Sequence, residues 1–446
     1  MYESISQHQT VVIRQISRNR AEQIGYYRYL ENEQVTLSEL VRSLSDHCQQ
    51  QVGGRHILSI SDTSEINLQS HQGRLKPEGL GVVGNNKDVG FFIHPTLAVD
   101  GDTGFPLGIS NVQLWIRPSE RPDKDERDYA KLPIEDKESY KWLASAERSQ
   151  RCFQMGEARL VTHIGDREAD LYEEWATVPD RYNHVLVRVH QDRRLVGQTQ
   201  SLYSYLSAQP CEGTYTVQVM ADPRHGRTAR EAWLSVRCAS VQIQRPDKLN
   251  RQDYPPSIKL YAVEAKEMNP PPGQAPIHWR LMTTHPVVTI EQALQVIQWY
   301  CWRWLIEQLF ATLKLAGLDI EATQLESVEA IQRLTVLALS VAVRTLQMVE
   351  GRDNPNIPAA VTFSEEQQQC LMQIAPTLQG QTQKQQNPYP PASLPWATWF
   401  IARLGGWSAY RSQRPPGMPT LVHGLRQFEA IFIGWKTALD GLVCTR

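Results

Sequence analysis

The sequence predicts a mixed α/β protein with helical regions at both ends and a β-rich insertion. Three observations carry this prediction. Short apolar, strand-like runs alternate with charged helical segments between residues 51 and 189. Alternating polar and apolar positions characterise residues 190–285, as expected for antiparallel strands. Apolar residues at helical spacing dominate residues 1–50 and 290–350.

Length and composition exclude several classes of protein. The chain has 446 residues, which favours about three domains at roughly 150 residues each. Hydrophobic residues make up 41% and charged residues 21%, so the chain is neither disordered nor collagen-like. No apolar run approaches the roughly 20 residues of a membrane helix, and the N-terminus does not resemble a signal peptide. Seven scattered cysteines without a CxxC pair favour a reducing intracellular compartment over disulfides or zinc.

The elements before residue 190 follow from this pattern in chain order. Residues 1–50 are predicted to be helical. The strand-like runs after them are residues 57–60, 91–99, 105–115, 159–164 and 184–189. Asp62 and Asp166 follow the first and the fourth of these runs, so two acids are expected at strand ends. Helices are predicted around residues 138–146 and 168–175.

After residue 190 the pattern changes to an insertion and then to helices. Residues 190–285 form the predicted insertion, helices follow from residue 290, and a Pro/Gln-rich flexible linker is predicted at 379–395. A one-sided helix from Thr420 carries Phe428, Phe432 and Trp435, which pack either within their own domain or against another subunit. The predicted regions are 1–50 (N-terminal helical), 51–320 (catalytic, with the insertion at about 190–285) and 321–446 (C-terminal helical).

One predicted helix, residues 299–314, carries a stripe of charged and hydroxyl-bearing side chains. At about 100° per residue the members of this stripe fall within one narrow sector: Tyr300, Arg303, Glu307 and Lys314. A solvated surface is the ordinary explanation for charges at helical spacing. However, this helix is rich in aromatic residues and is therefore expected to be mostly buried, where charged groups need partners.

Three carboxylates would meet if this helix lies across the strand ends. Asp62, Asp166 and Glu307 would then offer oxygen ligands to hard divalent cations. Two Mg²⁺ (or Mn²⁺) ions per site can activate a water or a 3′-hydroxyl and stabilise the leaving oxygen of a phosphodiester. Tyr300, Arg303 and Lys314 are residue types that hold phosphate oxygens. The sequence therefore predicts a metal-dependent phosphodiester site.

The same residues resemble those of the DDE transposases of the insertion-sequence-four family. The motifs that carry the resemblance are Ser61-Asp62-Thr63-Ser64, Asp166-Arg167-Glu168-Ala169-Asp170 and Tyr300-x2-Arg303-x3-Glu307-x6-Lys314. The resemblance covers nearly the whole chain, from residues 21–29 to residues 404–407. It implies an RNase H-like five-stranded sheet with a β-rich insertion, and Asp62, Asp166 and Glu307 as catalytic metal ligands.

The resemblance also implies an activity and partners. The family nicks DNA at transposon ends, forms and opens a hairpin by transesterification, and joins the end to target DNA. A homodimer carries out these steps in a synaptic complex, with no membrane involved, in the bacterial cytoplasm at the nucleoid. Trp279 matches the family's residue that stacks on a flipped base, and Arg188 matches an arginine close to the DNA backbone. Without the resemblance, Trp279 would be read as a buried edge residue of a sheet.

The chain also departs from the family pattern. Ala311 replaces a basic residue on the stripe, the N-terminal helical region that contacts DNA ends is short, and the net charge is −2. A local basic patch at residues 224–230 could supply part of the missing positive charge. Two other hypotheses stay open: a DNA-binding or dimerising regulator that does not cut, and a general metal nuclease without strand transfer.

Overall fold

The computed structural model describes residues 1–119, 132–219, 221, 228–315, 317–410 and 413–443. These residues form a mixed α/β structure in which helices from both ends of the chain surround one large mixed sheet. The predicted fold class is confirmed at this level. The basic patch at 224–230 lies mostly outside the described residues, and its last member, Arg230, pairs with Glu267.

Helices occupy both ends and the connections between strands. They are α1 (Tyr2–His8), α2 (Ile13–Ile16), α3 (Arg20–Glu31), α4 (Leu37–Gln49), α5 (Tyr140–Met155), α6 (Tyr172–Thr177), α7 (Leu202–Ser207), α8 (Ile290–Trp302), α9 (Trp304–Lys314), α10 (Val328–Gly351), α11 (Glu365–Leu378), α12 (Leu394–Leu404) and α13 (Met418–Val443). Side-chain caps fix several starts, as where Thr289 and Gln292 form a capping box at α8. The helix predicted at 168–175 is instead a 3₁₀ turn followed by the short α6.

All the strands in the described part of the chain belong to a single sheet. They are β1 (His56–Ser61), β2 (Ser64–Asn67), β3 (Gly81–Val82), β4 (Val89–Asp100), β5 (Pro106–Trp115), β6 (Leu160–Gly165), β7 (Asn183–Arg188), β8 (Gly213–Val219), β9 (Arg230–Gln244), β10 (Ser257–Glu267) and β11 (His278–Thr283). The order along the sheet is β2-β4-β1-β6-β7-β11-β10-β9-β8, with β3 and β5 also paired to β4.

Strands β1, β6 and β7 are parallel, and this arrangement positions the two predicted aspartates. Ile60 of β1 pairs with Ile164 of β6, so the register carried two residues further brings Asp62 beside Asp166. The carboxyl ends of parallel strands meet at one edge of a sheet, which is where ligand sites of α/β proteins form. β4 runs antiparallel to β1, and β5 runs antiparallel to β4.

The β-rich segment extends the sheet instead of forming a separate unit. β11 pairs antiparallel with β7, where Leu281 lies opposite Arg188, and β10, β9 and β8 follow in turn. The sheet therefore has eleven strands, and the expected five-stranded sheet is not isolated. The physical reason is that β7 would otherwise be an open edge, whose unpaired backbone groups β11 satisfies. Glu264 of β10 is fully buried and accepts hydrogen bonds from Arg280 and His278 of β11. These bonds add to the backbone pairing between the two strands.

A histidine cluster fills the opposite edge of the parallel strands. The Thr162 hydroxyl lies 2.8 Å from Nε2 of His56 and 2.7 Å from Nε2 of His285. His184 stacks on His285 with ring centroids 3.9 Å apart, and Trp299 packs edge-on against His56. Burial lowers the pKa of His56 to about 4 and that of His285 to about 2, so both rings are neutral near pH 7.

Helix α10 is the centre of the helical layer. Among the described residues it is the one helix that could cross a membrane by length and composition, but Arg333 and Arg344 interrupt its apolar run and 72% of the apolar stretch is buried inside the fold. Such burial is typical of a core helix in a soluble protein. Arg333 and Arg344 of α10 donate hydrogen bonds to Leu30 and to Ser6 respectively, so the N-terminal helices are fixed to it.

The C-terminal helices also pack on the rest of the chain. Phe428 of α13 is fully buried and lies edge-to-face with Phe363. Arg426 of α13 donates hydrogen bonds to the carbonyls of His8 and Gln9, next to α1. The predicted linker at 379–395 is bonded to its surroundings, for example where Asn387 donates to the carbonyl of Trp396. The apolar face of α13 therefore packs largely within its own chain, which is one of the two alternatives left open by the sequence.

Candidate active site

The three predicted carboxylates approach one another at the carboxyl ends of β1 and β6. Asp62 follows β1, Asp166 follows β6, and Glu307 lies in the first turn of α9. The charges of Asp166 and Glu307 both raise the pKa of Asp62, which shows that all three belong to one electrostatic site. The structure therefore brings together the acidic residues that the sequence singled out.

Arg303 lies at the centre of this site. Its Nη1 donates to Oδ2 of Asp62 at 2.7 Å, and its Nη2 donates to Oε1 of Glu307 at 3.3 Å. The sequence predicted one continuous helix over residues 299–314, but Arg303 separates α8 from α9. Its backbone stays in the helical region, so the stripe from Tyr300 to Glu307 survives this interruption.

Burial dominates the electrostatics of Asp62. Its pKa is raised from 3.8 to about 6, chiefly because burial disfavours the charged carboxylate. The neighbouring guanidinium of Arg303 opposes this shift, as does the hydrogen bond from the Thr63 amide. Titratable groups with shifted pKa values cluster at functional sites, although structural ion pairs shift pKa values as well.

Tyr300 and Arg188 are two further residues that the sequence predicts for this site. Tyr300 is buried, and burial raises the pKa of its phenol, while the charges of Arg303 and Arg188 act in the opposite direction. The Arg303 guanidinium lies 6.0 Å from the centroid of the Tyr300 ring. The charge of Asp166 also acts on Tyr300. Arg188 ends β7, and its Nη2 donates to the carbonyl of His278 at 3.5 Å.

Lys314 and Trp279 are placed further out. Lys314 ends α9 and forms an ion pair with Glu321 at 3.5 Å. Trp279 lies in β11 opposite Ala265 and is partly buried against the main core. Ala311, which replaces a basic residue on the stripe, is exposed. Trp304 was expected to be buried, but it is 62% exposed beside Arg303.

The residue types at the site fit a hard divalent cation, because three carboxylates whose negative charges oppose one another gain from a cation between them. In the described part of the chain, however, no three acidic, histidine or cysteine side chains form a complete metal-ligand group. The guanidinium of Arg303 bridges Asp62 and Glu307 and holds these two carboxylates apart. Mg²⁺ or Mn²⁺ binding would therefore require Arg303 to release at least one of them.

Several residues around the acids were not found from the sequence. The hydroxyl of Thr63 bonds Nδ1 of the buried His94, which fixes the turn after Asp62. Asp170, the last residue of the Asp166 motif, bonds the amides of His190 and Gln191 and pairs with Arg193. The motif thus combines a site residue with a structural one. The four-residue spacing between Asp166 and Asp170 is the only feature of the sequence that could have suggested these different roles.

A scan of the chain against models of known protein families finds no match. The geometry of the acids, of Arg303 and of the sheet edge therefore carries the functional argument.

Proposed function

We propose that this protein is a DDE-type DNA transposase, which nicks DNA at transposon ends, forms a hairpin and transfers the strand to target DNA. The observation that carries the proposal is the convergence of Asp62, Asp166 and Glu307 around Arg303 at the carboxyl edge of parallel strands. An anionic site flanked by basic residues is suited to phosphodiester chemistry.

The strand order supports an RNase H-like core within the larger sheet. The five strands β5-β4-β1-β6-β7 include the parallel set β1, β6 and β7, with β4 antiparallel to them. In the proposal, this part of the sheet corresponds to the five-stranded mixed sheet that the resemblance implies. The acids lie at the ends of its two central parallel strands. The four strands β8 to β11 then correspond to the β-rich insertion.

Each residue has a role that follows from its chemistry. Asp62, Asp166 and Glu307 would hold two Mg²⁺ or Mn²⁺ ions, which supply an activated nucleophile and stabilise the leaving oxygen. Arg303 would exchange its carboxylate partners for phosphate oxygens, with which guanidinium forms paired hydrogen bonds. Tyr300, Arg188 and Lys314 would position the DNA backbone. Trp279 would stack on the base displaced during hairpin formation.

A homodimer and double-stranded DNA are the proposed partners. The outer face of α13 supports self-association because it carries apolar side chains one helical turn apart. Ile431 is 37% exposed and Leu439 is 41% exposed, with the partly buried Trp435 between them. Exposed apolar stripes of this kind are typical of association surfaces. The proposal places two copies on two DNA ends.

A second candidate is a DNA-binding or dimerising regulator that does not cut. The ion pairs from Arg303 to Asp62 and Glu307 favour it, since they neutralise two of the three acids. One experiment decides between the candidates. Labelled DNA carrying the element's own ends is incubated with Mg²⁺ or with Ca²⁺, comparing wild type, Glu307→Ala and the control Glu291→Ala on α8.

A transposase gives nicked, hairpin and double-strand-break products with Mg²⁺. These products require Glu307 and are retained in Glu291→Ala, because Glu291 lies at the opposite end of α8 from Arg303. DNA binding without cut products, unchanged by Glu307→Ala, would establish the regulator instead. Trp279→Ala separates transposition from simple nuclease action. Loss of hairpins with nicking preserved supports transposition, and equal hairpin yield removes the base-stacking role.

A further inference from the structure

A wide groove lies along the edge strand β5, away from the residues assigned above. Its volume is about 890 Å³, and α4, α5 and the last residues of β5 line it. β5 pairs with β4 on one side only, so the groove covers an open edge of the sheet.

The groove is strongly basic. Its lining contains five cationic side chains and one acidic side chain: Arg42, Lys137, Lys141, Arg148, Arg151 and Glu138. Glu138 is already paired with Arg117 at 2.6 Å. Arg148 is exposed on α5 and, among the residues that the structure describes, has no ion pair. Arg42, Lys141 and Arg151 form ion pairs with Glu39, Glu168 and Glu147 respectively. The positive charge that the described acids leave unneutralised therefore lies on Arg148 and Lys137, and this local excess favours an anionic ligand.

Two buried hydrogen-bond donors in the same groove have no acceptor. Nδ2 of Asn111 and Nε1 of Trp115 are buried and unbonded within the described structure. Buried polar groups are nearly always satisfied, so each such group calls for an explanation. Both groups are donors and both residues line the groove. A ligand that presents oxygen acceptors to the β5 edge would satisfy them.

The groove leads towards the acidic site. Lys141 bonds Glu168 at 2.9 Å, two residues from Asp166. The Trp115 ring contacts that of His94, which in turn bonds Thr63 beside Asp62. Because β5 runs parallel to β1, its carboxyl end lies on the same side of the sheet as these aspartates. An extended ligand in the groove would thus continue into the site.

We infer that this β5 groove binds the phosphodiester backbone of double-stranded DNA next to the segment that enters the acidic site. The inference rests on the proposed function for the identity of the polymer. Phosphate oxygens supply both the negative charge for Arg148 and the acceptors for Asn111 and Trp115. The groove thereby supplies positive charge locally that the chain lacks overall.

The test measures binding of a fluorescein-labelled DNA duplex by anisotropy in EDTA, where metal-dependent cutting plays no part. Arg148→Glu is compared with wild type and with Arg159→Glu. Arg159 is an exposed arginine before β6, at the opposite end of that strand from Asp166. Trp115→Phe keeps an aromatic ring and removes the unbonded N–H. Thermal unfolding of each variant confirms that it is folded.

We expect Arg148→Glu to weaken DNA binding by about tenfold and to reduce the salt dependence of log Kd by about one unit of slope. Arg159→Glu should bind like wild type, and Trp115→Phe should bind more weakly than wild type. The inference is overturned if Arg148→Glu and Arg159→Glu have equal effects, or if polyglutamate competes as well as unlabelled DNA.

The two proposals fail separately. If cutting depends on Glu307 and Arg148→Glu binds DNA like wild type, the transposase proposal stands and the groove proposal is overturned. If DNA binding depends on Arg148 but no cutting occurs, the groove proposal stands and the catalytic proposal is overturned. Absence of DNA binding by the wild-type protein would overturn the groove as a DNA site.

Discussion

Asp62 illustrates how one residue can be costly for the fold and useful for a site. Its carboxylate is largely buried between Arg303 and two further acids, and its pKa rises to about 6. Ionising it therefore costs free energy that the folded protein must supply from elsewhere. A cation, whether Arg303 or a metal, reduces that cost.

Asp62→Asn is expected to stabilise the protein at neutral pH while abolishing cutting. The folded-state pKa is raised above its ordinary value of 3.8, so the stability of wild type falls as pH rises through the window from about 4 to about 6. The variant does not titrate there. Its advantage in free energy of unfolding should grow by up to about 3 kcal/mol across this window, at 1.36 kcal/mol per pKa unit.

Urea unfolding at a series of pH values measures this difference. Glu291→Gln serves as the control at an exposed carboxylate in the first turn of α8. A hydrogen bond with Thr289 lowers the pKa of Glu291, so the difference from wild type should change in the opposite direction and mainly below about pH 4.5. A difference for Asp62→Asn that does not change between pH 4 and pH 7 would contradict the raised pKa.

Asp170 shows a limit of sequence reasoning about residues. It lies four positions after Asp166 in the same motif, and both are acids near a strand end. Only the folded chain reveals that Asp170 is buried with Arg193 from the loop after β7. A motif records spacing, but it does not show which acid faces solvent and which faces a distant arginine.

At the level of elements, this ion pair connects the turn after β6 to the loop that begins the β-rich strands. Asp170 also bonds two amides of that loop. Asp170→Asn should lower the free energy of unfolding by about 3–5 kcal/mol, because it leaves the buried Arg193 charge without a counter-charge. Equilibrium denaturation measures this loss.

Glu168→Gln is the matched control for that prediction. Glu168 is in the same motif but its side chain is 66% exposed, and its pair with Lys141 is of the surface kind. Such pairs contribute between 0 and about 1 kcal/mol. Equal destabilisation by the two substitutions would show that Asp170 has no special structural role.

Strands with a strong apolar pattern were predicted close to their observed bounds. The break inside the predicted helix at residues 299–314 was not predicted. Strands β1, β4, β5, β6 and β7 lie within a few residues of the apolar runs that predicted them. The break between α8 and α9 at Arg303 was missed, because no proline or glycine marks it. Its cause is tertiary: Arg303 reaches two acids from different elements, and no local pattern reports such contacts.

At the scale of the whole molecule, the two edges of the parallel strands have opposite character. One edge carries the acids, and the other carries the neutral histidine cluster around Thr162. The cluster should make the protein sensitive to acid. Histidines whose folded-state pKa is lowered stabilise the fold above about pH 6.5, and this stabilisation is lost as pH falls towards the folded-state pKa.

His56→Gln tests this expectation. The substitution should destabilise the protein at pH 7, because it removes the packing against Trp299 and the bond to Thr162. Between about pH 6.5 and pH 4 the gap to wild type should shrink by up to about 3 kcal/mol, since only wild type must protonate this buried ring. Melting temperatures at several pH values measure the gap, and a constant gap would refute the prediction.

The overall class of fold could be predicted from the sequence, but its extent could not. Alternation in residues 190–285 predicted strands, yet nothing local indicates that β11 would pair with β7 and extend one sheet to eleven strands. Register between distant strands is decided by pairing across the whole sheet. The same holds for the meeting of Glu307 with Asp62, which are far apart in the chain.

The bonds from Arg426 to His8 and Gln9 join residues separated by more than 400 positions in the chain. During synthesis, α1 leaves the ribosome long before α13 is made. The contacts between these two helices can therefore form only late. Loop-closure entropy makes such late contacts slow to form. Completion of this fold therefore has to follow the synthesis of α13, and a nascent chain stalled before α13 would expose the apolar surface that this helix normally covers.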